Sequence, residues 1–300
     1  MAQRITFAEA AEPPHLDFVL PGMLAGTVGL IVGQGAVGKS FLALHIGISV
    51  ALGKAACTGM GDALWPAPAS GPVAIVMGED IPHVVHYRLH ELRAALSRDD
   101  LSQIDAELDV RSWTDEQDDL RVIQRQPGGL IGHGPFYAKL RALAEGRRLV
   151  ILDPLAFLHD CDENNNGDMT TLMRALGGIA RGTGCSILVL HHIGKSKDGD
   201  DWERSRGASS LTTAVRLQLN LTVMSEKEAD EYGIADDLER HFYIRLAQVK
   251  ANYGKPVEPK WLRKQPGGRL VAYALQKLGK VGKVDHRHRS GKERRNANPF

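Results

Sequence analysis

Residues 33–40 read GQGAVGKS, and this stretch decides the fold. It fits GxxxxGK[ST] at every constrained position. In such a loop the glycines let the backbone wrap closely, so that the N–H groups along Gly33, Gly35, Ala36, Val37 and Gly38 face phosphate oxygens. Lys39 then reaches the β/γ-phosphates, and the Ser40 hydroxyl can ligate Mg²⁺. The flanks supply the required context. Before the loop, residues 27–33 (TVGLIVG) form a short β-rich apolar run; after it, FLALHIGISVAL has the apolar spacing of a helix packed on a sheet. The amino end of that helix points its dipole at the same anion. The expected ligand is a nucleoside triphosphate, ATP with Mg²⁺.

Outward from the loop the alternation repeats. Val73–Met77 (VAIVM) reads as a buried strand closing on Gly78-Glu79-Asp80, and Pro82 sits where a first helical turn accepts proline. Residues 149–152 (LVIL) close on Asp153, and residues 186–190 (SILVL) on His191-His192. A weaker strand is expected at 109–113. Helices are expected at 82–96, at 136–145, and after the polar loop 160–168. Short apolar strands alternating with helices predict an α/β fold, a mostly parallel sheet covered on both faces. From residue 216 the strands (216–223, 242–249, 260–263, 269–273) come with few helices. They predict an antiparallel C-terminal extension, its last pair a hairpin around Pro266-Gly267-Gly268. The expected organisation is one ATPase domain over residues 1–275, with a short lead-in, and a basic, flexible tail over 276–300.

Bulk properties narrow the class. Of the 300 residues 43 % are apolar and 24 % charged, ordinary values for a globular chain that buries a sizeable core. No apolar run reaches the ~18 residues of a membrane span, and the first residues lack the apolar core of a secretory signal. Cys57, Cys161 and Cys185 are isolated thiols, which argues for a reducing cytosol and against a disulfide or zinc framework. A cytoplasmic protein with no membrane partner is expected. The formal net charge of +1 hides a basic run over 277–295. Such a run is usually a solvated tail, and it also suits polyanion contact.

Asp153 has the form of the acid that supports a metal at a strand end beside such a loop; the plain alternative is a loop-opening aspartate. Glu79 is placed to orient or deprotonate an attacking water. Asp80 competes for that role and is otherwise the cap of the helix at Pro82. One histidine of His191-His192 is positioned to sense the γ-phosphate, and the residues do not choose between them. His83, His86 and His90 approach one helix face, which reads as solvated rather than as a metal site.

In order, GQGAVGKS, VAIVMGED, RLVILDPL, CSILVLHH, SRGASSLTTAVRLQL and KANYG resemble the RecA-like core of the RepA-type hexameric replicative helicases of broad-host-range plasmids. The likeness spans residues 16–273. It implies a RecA-like P-loop fold and a homohexameric ring with ATP between neighbours. It also implies that Arg216 is an arginine finger reaching a neighbour's site and Lys250 a second cation of that kind. Loops 160–168 and 194–206 would face a channel holding single-stranded DNA. The second carries Lys195, Lys197, Trp202, Arg204 and Arg206, but also four acids; the first is acidic. No primase or origin-recognition region is visible in the sequence, so separate plasmid proteins are the expected partners for those tasks. Two rival readings share the core: a recombination mediator that binds DNA without unwinding, and a regulatory ATPase acting on a protein.

Overall fold

Apolar strands and helices alternate from residue 28 onward, and the computed structural model turns that alternation into a three-layer stack. It describes residues 5–7, 11–54, 67–115, 119–193, 209–253 and 257–278. Loop 194–206 and residues 279–300 of the basic tail therefore lie outside the described residues. A small antiparallel pair, β1 (Phe18–Leu20) and β2 (Met23–Leu24), leads into β3 (Val28–Gly33), the phosphate loop and α1 (Lys39–Leu52). Next come β4 (Val73–Met77), α2 (Pro82–Arg93), α3 (Arg98–Glu107) and β5 (Leu108–Ser112). A short hairpin follows, β6 (Ile123–Arg125) and β7 (Ile131–His133), then α4 (Phe136–Ala144), β8 (Leu149–Asp153), α5 (Asn166–Thr183) and β9 (Ser186–His192). The last part holds α6 (Ser209–Ala214), β10 (Leu217–Val223), α7 (Glu226–Tyr232), α8 (Asp237–Arg240), β11 (Tyr243–Ala251), β12 (Lys260–Lys264) and β13 (Leu270–Tyr273).

Nine strands form the main sheet in the order β13-β12-β11-β10-β3-β9-β8-β4-β5. From β5 to β10 every pairing is parallel; β10 to β13 are joined antiparallel. This is the α/β architecture expected, a mostly parallel sheet with the antiparallel extension on one edge. The inner parallel strands β3, β4, β8 and β9 are buried on both faces because successive side chains serve different cores. In β4, Val73, Ile75 and Met77 join the layer under α1 and α2, while Ala74 and Val76 join the layer under α4 and α5. The same alternation runs through β8 and β9. Helix α1 is buried on nearly every side because it is enclosed. Gly47 presses on the sheet, where a Cβ would stand 2.7 Å from Ile75. On another side the turn of the β12–β13 hairpin meets Phe41 and β13 meets Gly38.

No described helix is long and apolar enough to cross a membrane.

Candidate nucleotide site

The phosphate loop leaves the carboxyl end of β3 and turns twice through the left-handed region. Ala36 has φ 59° and Gly38 φ 107°. Left-handed backbone of this kind turns successive amides toward one point, an anion-binding nest. Gly38 is needed twice over, since a Cβ there would also stand 3.0–3.2 Å from the Leu270 side chain. Ala36, with the smallest side chain after glycine, accepts its unfavourable φ as an exposed residue.

Lys39 is buried, and its ammonium donates to the carbonyls of Gly33 (2.9 Å) and Gln34 (2.7 Å). A third contact, 3.2 Å, runs to His192 Nδ1. An ammonium has no lone pair, so Nδ1 must accept and the proton of a neutral ring sits on Nε2. That nitrogen faces Glu79 Oε2 at 3.5 Å. Burial draws the His192 pKa down, the Lys39 charge adds to this, and Glu79 opposes it. Burial also lowers Lys39 to about 8, with Asp153 and Glu79 acting the other way. The lysine is held by neutral carbonyls in a place where phosphate oxygens would bind it better.

Ser40 Oγ donates to Asp153 Oδ2 at 2.7 Å. The strand bearing Asp153 is not beside β3, because β9 intervenes. The helix that follows the loop brings Ser40 across. Burial raises Asp153 to about 6, with Glu79 and Asp80 adding to the rise and the Ser40 bond and Lys39 opposing it. A buried carboxylate beside a hydroxyl and a second acid is short of positive charge. Carboxylate and hydroxyl oxygens are also the hard donors that Mg²⁺ takes. Ligand atoms of Glu79, Asp153 and His192 lie within 4.8 Å of one another. The donor set fits Mg²⁺ through Ser40 and Asp153; the imidazole suits softer ions.

The two histidines diverge. His192 pairs in register with Gly33 at the mouth of the loop. His191, opposite Val32, is buried, and burial, with the neighbouring His192 and Lys39 adding to it, pushes it down to about 4. Asp80 does not cap α2. The cap position is Ile81, with no side-chain bond, and Asp80 instead accepts from Arg88 at 2.9 Å. The arginine two turns along is a stronger donor than a backbone N–H, and it draws the carboxylate away from the helix end.

Arg216 and Lys250 do not join these groups. The Arg216 amide donates to the Val28 carbonyl, at the amino end of β3, and its side chain is exposed. Lys250 pairs in register with Gln218, and its ammonium donates to the carbonyls of Thr212 and Thr213. Burial and the Arg216 charge lower its pKa. The acids of loop 160–168 are partly neutralised: Asp160 receives Arg121, and Asp168 receives Arg125 at 2.5 Å. One cation at the phosphate loop carries no sequence signal: Lys264 of β12 donates to the Ala36 carbonyl at 2.5 Å.

A lysine, a serine and a buried aspartate, gathered where parallel strands end on a phosphate loop, define a P-loop ATPase. The chain belongs to the AAA domain family, which it matches over residues 2–198. Among solved structures it is similar to the RadB recombinase, at 14 % identity over 85 % of this chain and 93 % of that one, with a TM-score of 0.49. It is also similar to a second solved structure, an ATPase domain, at 14 % identity over 83 % of this chain and 85 % of that one, again with a TM-score of 0.49.

Proposed function

We propose that this ATPase is a replicative DNA helicase that works as a ring of six copies on single-stranded DNA, in plasmid replication. The order of motifs over residues 16–273 supports the family reading. The observation that carries the shared-site part is the place of Arg216 and Lys250. They lie together at the amino edge of the parallel strands, while the phosphate loop lies at the carboxyl edge. Cations so placed are useless to their own chain's nucleotide and available to a neighbour's. Head-to-tail contacts of this kind build rings when the rotation between neighbours closes, and filaments when it does not.

In this reading ATP draws Lys39 off the carbonyls of Gly33 and Gln34 onto its phosphates. Ser40 and Asp153 would hold Mg²⁺, which would supply positive charge to the phosphate oxygens when bound. Glu79 takes the proton of the attacking water. A neighbour's Arg216 stabilises charge in the transition state, a contribution of about 10³–10⁵ in rate for such fingers. His192 touches both Lys39 and Glu79, so it registers when the lysine moves. It does so at the end of β9, from which the chain runs on to residues 194–206.

The test is displacement of a strand from a forked duplex with ATP, beside Lys39→Ala, together with ATPase measured with and without single-stranded DNA. Strand displacement by the wild type and none by the variant is the expected result. DNA binding without displacement would leave a mediator, and indifference to DNA a regulator of a protein partner.

A further inference from the structure

The terminal hairpin ends on the nucleotide site. Strand β12 lies three places from β3 on one side of the sheet, and β4, which delivers Glu79, lies three places away on the other. From β12 the Lys264 ammonium crosses to the phosphate loop and donates to the Ala36 carbonyl at 2.5 Å. The contact is held in place by apolar packing of the same hairpin on the loop and its helix. Leu270 fills the space beside Gly38, and Gly268 lies against Phe41. Arg269 adds a bond to the Glu91 carbonyl of α2. Lys264 is half-buried, and burial lowers its pKa with no carboxylate acting against it. Among the described residues the one hydrogen-bond partner of its ammonium is thus a neutral carbonyl of the phosphate loop.

We propose that Lys264 is a further phosphate-binding cation of this site, brought by the terminal hairpin to the flank of the loop opposite Glu79. A lysine is a point charge on a flexible stem, and a turn of its side chain moves the ammonium from the Ala36 carbonyl to a phosphate oxygen. The flank decides which step it serves. Glu79, His192 and Asp153 gather at the hydrolytic side; Lys264 stands across the loop and anchors the phosphate chain that ATP and ADP share. It therefore supports binding of both nucleotides more than turnover.

The proposal rests on the reading of residues 33–40 as a nucleotide site, and the experiment separates the two. ATP and ADP affinities are measured by calorimetry for the full chain, Lys264→Met, Lys264→Arg and Lys39→Ala, with the melting temperature of each taken without nucleotide. Lys264→Met should weaken both nucleotides by about tenfold, the scale of one charge-assisted hydrogen bond. Its KM for ATP should rise in step, with kcat falling by less than about threefold. Lys264→Arg should stay within about threefold of the wild type, because the charge remains. Without nucleotide, Lys264→Met should melt no lower than the wild type, since a half-buried charge without a counter-ion has been removed. ATP and ADP affinities unchanged in Lys264→Met, beside a weakened Lys39→Ala, would overturn the proposal and leave the site reading intact. A lowered melting temperature that Lys264→Arg fails to restore would make the residue structural and overturn it too. A wild type that binds neither nucleotide would overturn both.

Discussion

Mixing two inactive variants tests the shared site most directly. The Arg216 amide is bonded to the Val28 carbonyl, and the phosphate loop begins at Gly33, at the far end of β3. At about 3.3 Å per residue the strand alone separates them by roughly 16 Å. A fully extended arginine side chain covers about 7 Å from its Cα. Arg216 therefore cannot serve the loop of its own chain, whatever rotamer it adopts. Arg216→Ala and Lys39→Ala should each be inactive in ATP hydrolysis. In rings assembled from equal parts of the two, about a quarter of the interfaces join an intact phosphate loop to an intact finger, and a finger worth about 10³–10⁵ makes all other interfaces silent. Recovery should approach a quarter of the wild-type rate if sites fire independently, and less if they fire in sequence. The assay is steady-state phosphate release on rings purified through two different tags, so that co-assembly is certain. Lys39→Ala mixed with Asp153→Asn is the control: both lesions fall in the same half of the site, and no interface is repaired. Co-assembled Arg216→Ala and Lys39→Ala rings with no more activity than this control would refute the reasoning.

Two further predictions concern buried ionisable groups. Burial raises Asp153 from 3.8 to about 6, so above that pH its charged form destabilises the metal-free fold by about 3 kcal/mol. This effect vanishes below pH 3.8. Asp153→Asn should therefore melt roughly 6 °C higher at pH 7.5 in EDTA while losing Mg²⁺-supported ATP hydrolysis, and a lower melting temperature in calorimetry would count against it. His45, enclosed in α1, is pushed by burial from 6.5 to about 3. Its ring stays neutral in the fold while the unfolded chain takes up a proton below 6.5. Stability should fall as pH drops from about 6.5, by up to about 1.4 kcal/mol per unit from this residue. In urea titrations between pH 7 and 4, His45→Gln should show the shallower slope; equal slopes would disprove it.

The groups most legible in the sequence are those placed by local rules. A central parallel strand is apolar throughout, so its end is marked by the first polar residue, and that end is where the fold gathers ligand groups. Glu79 and Asp153 both follow this rule, and the phosphate loop announces itself by spacing. Helix α3 is signalled only by its capping box, Ser97 with Asp100, on a segment of weak apolar periodicity. The β6–β7 hairpin has strands of three residues, too short for an alternation to show.

Elsewhere, register and long-range return decide what local pattern leaves open. Neighbouring residues of a strand face opposite ways, so which of His191 and His192 meets Lys39 depends on whether Gly33 pairs with one or the other. A slip of one residue would exchange them. The pairing of Gly33 with His192 is a property of two strands far apart in the chain, and nothing in SILVLHH states it. Asp80 shows the same limit at short range. Its sequence position suits a cap, but Arg88 competes from two turns away and wins on charge. Lys264 is the extreme case, for it meets Ala36 across 228 residues of chain. Its partner is a carbonyl, which every residue has, so no pairing of side-chain types could have betrayed the contact. A site built at the join of a parallel core and an antiparallel extension thus shows its core half in the sequence and hides the half that the extension brings back.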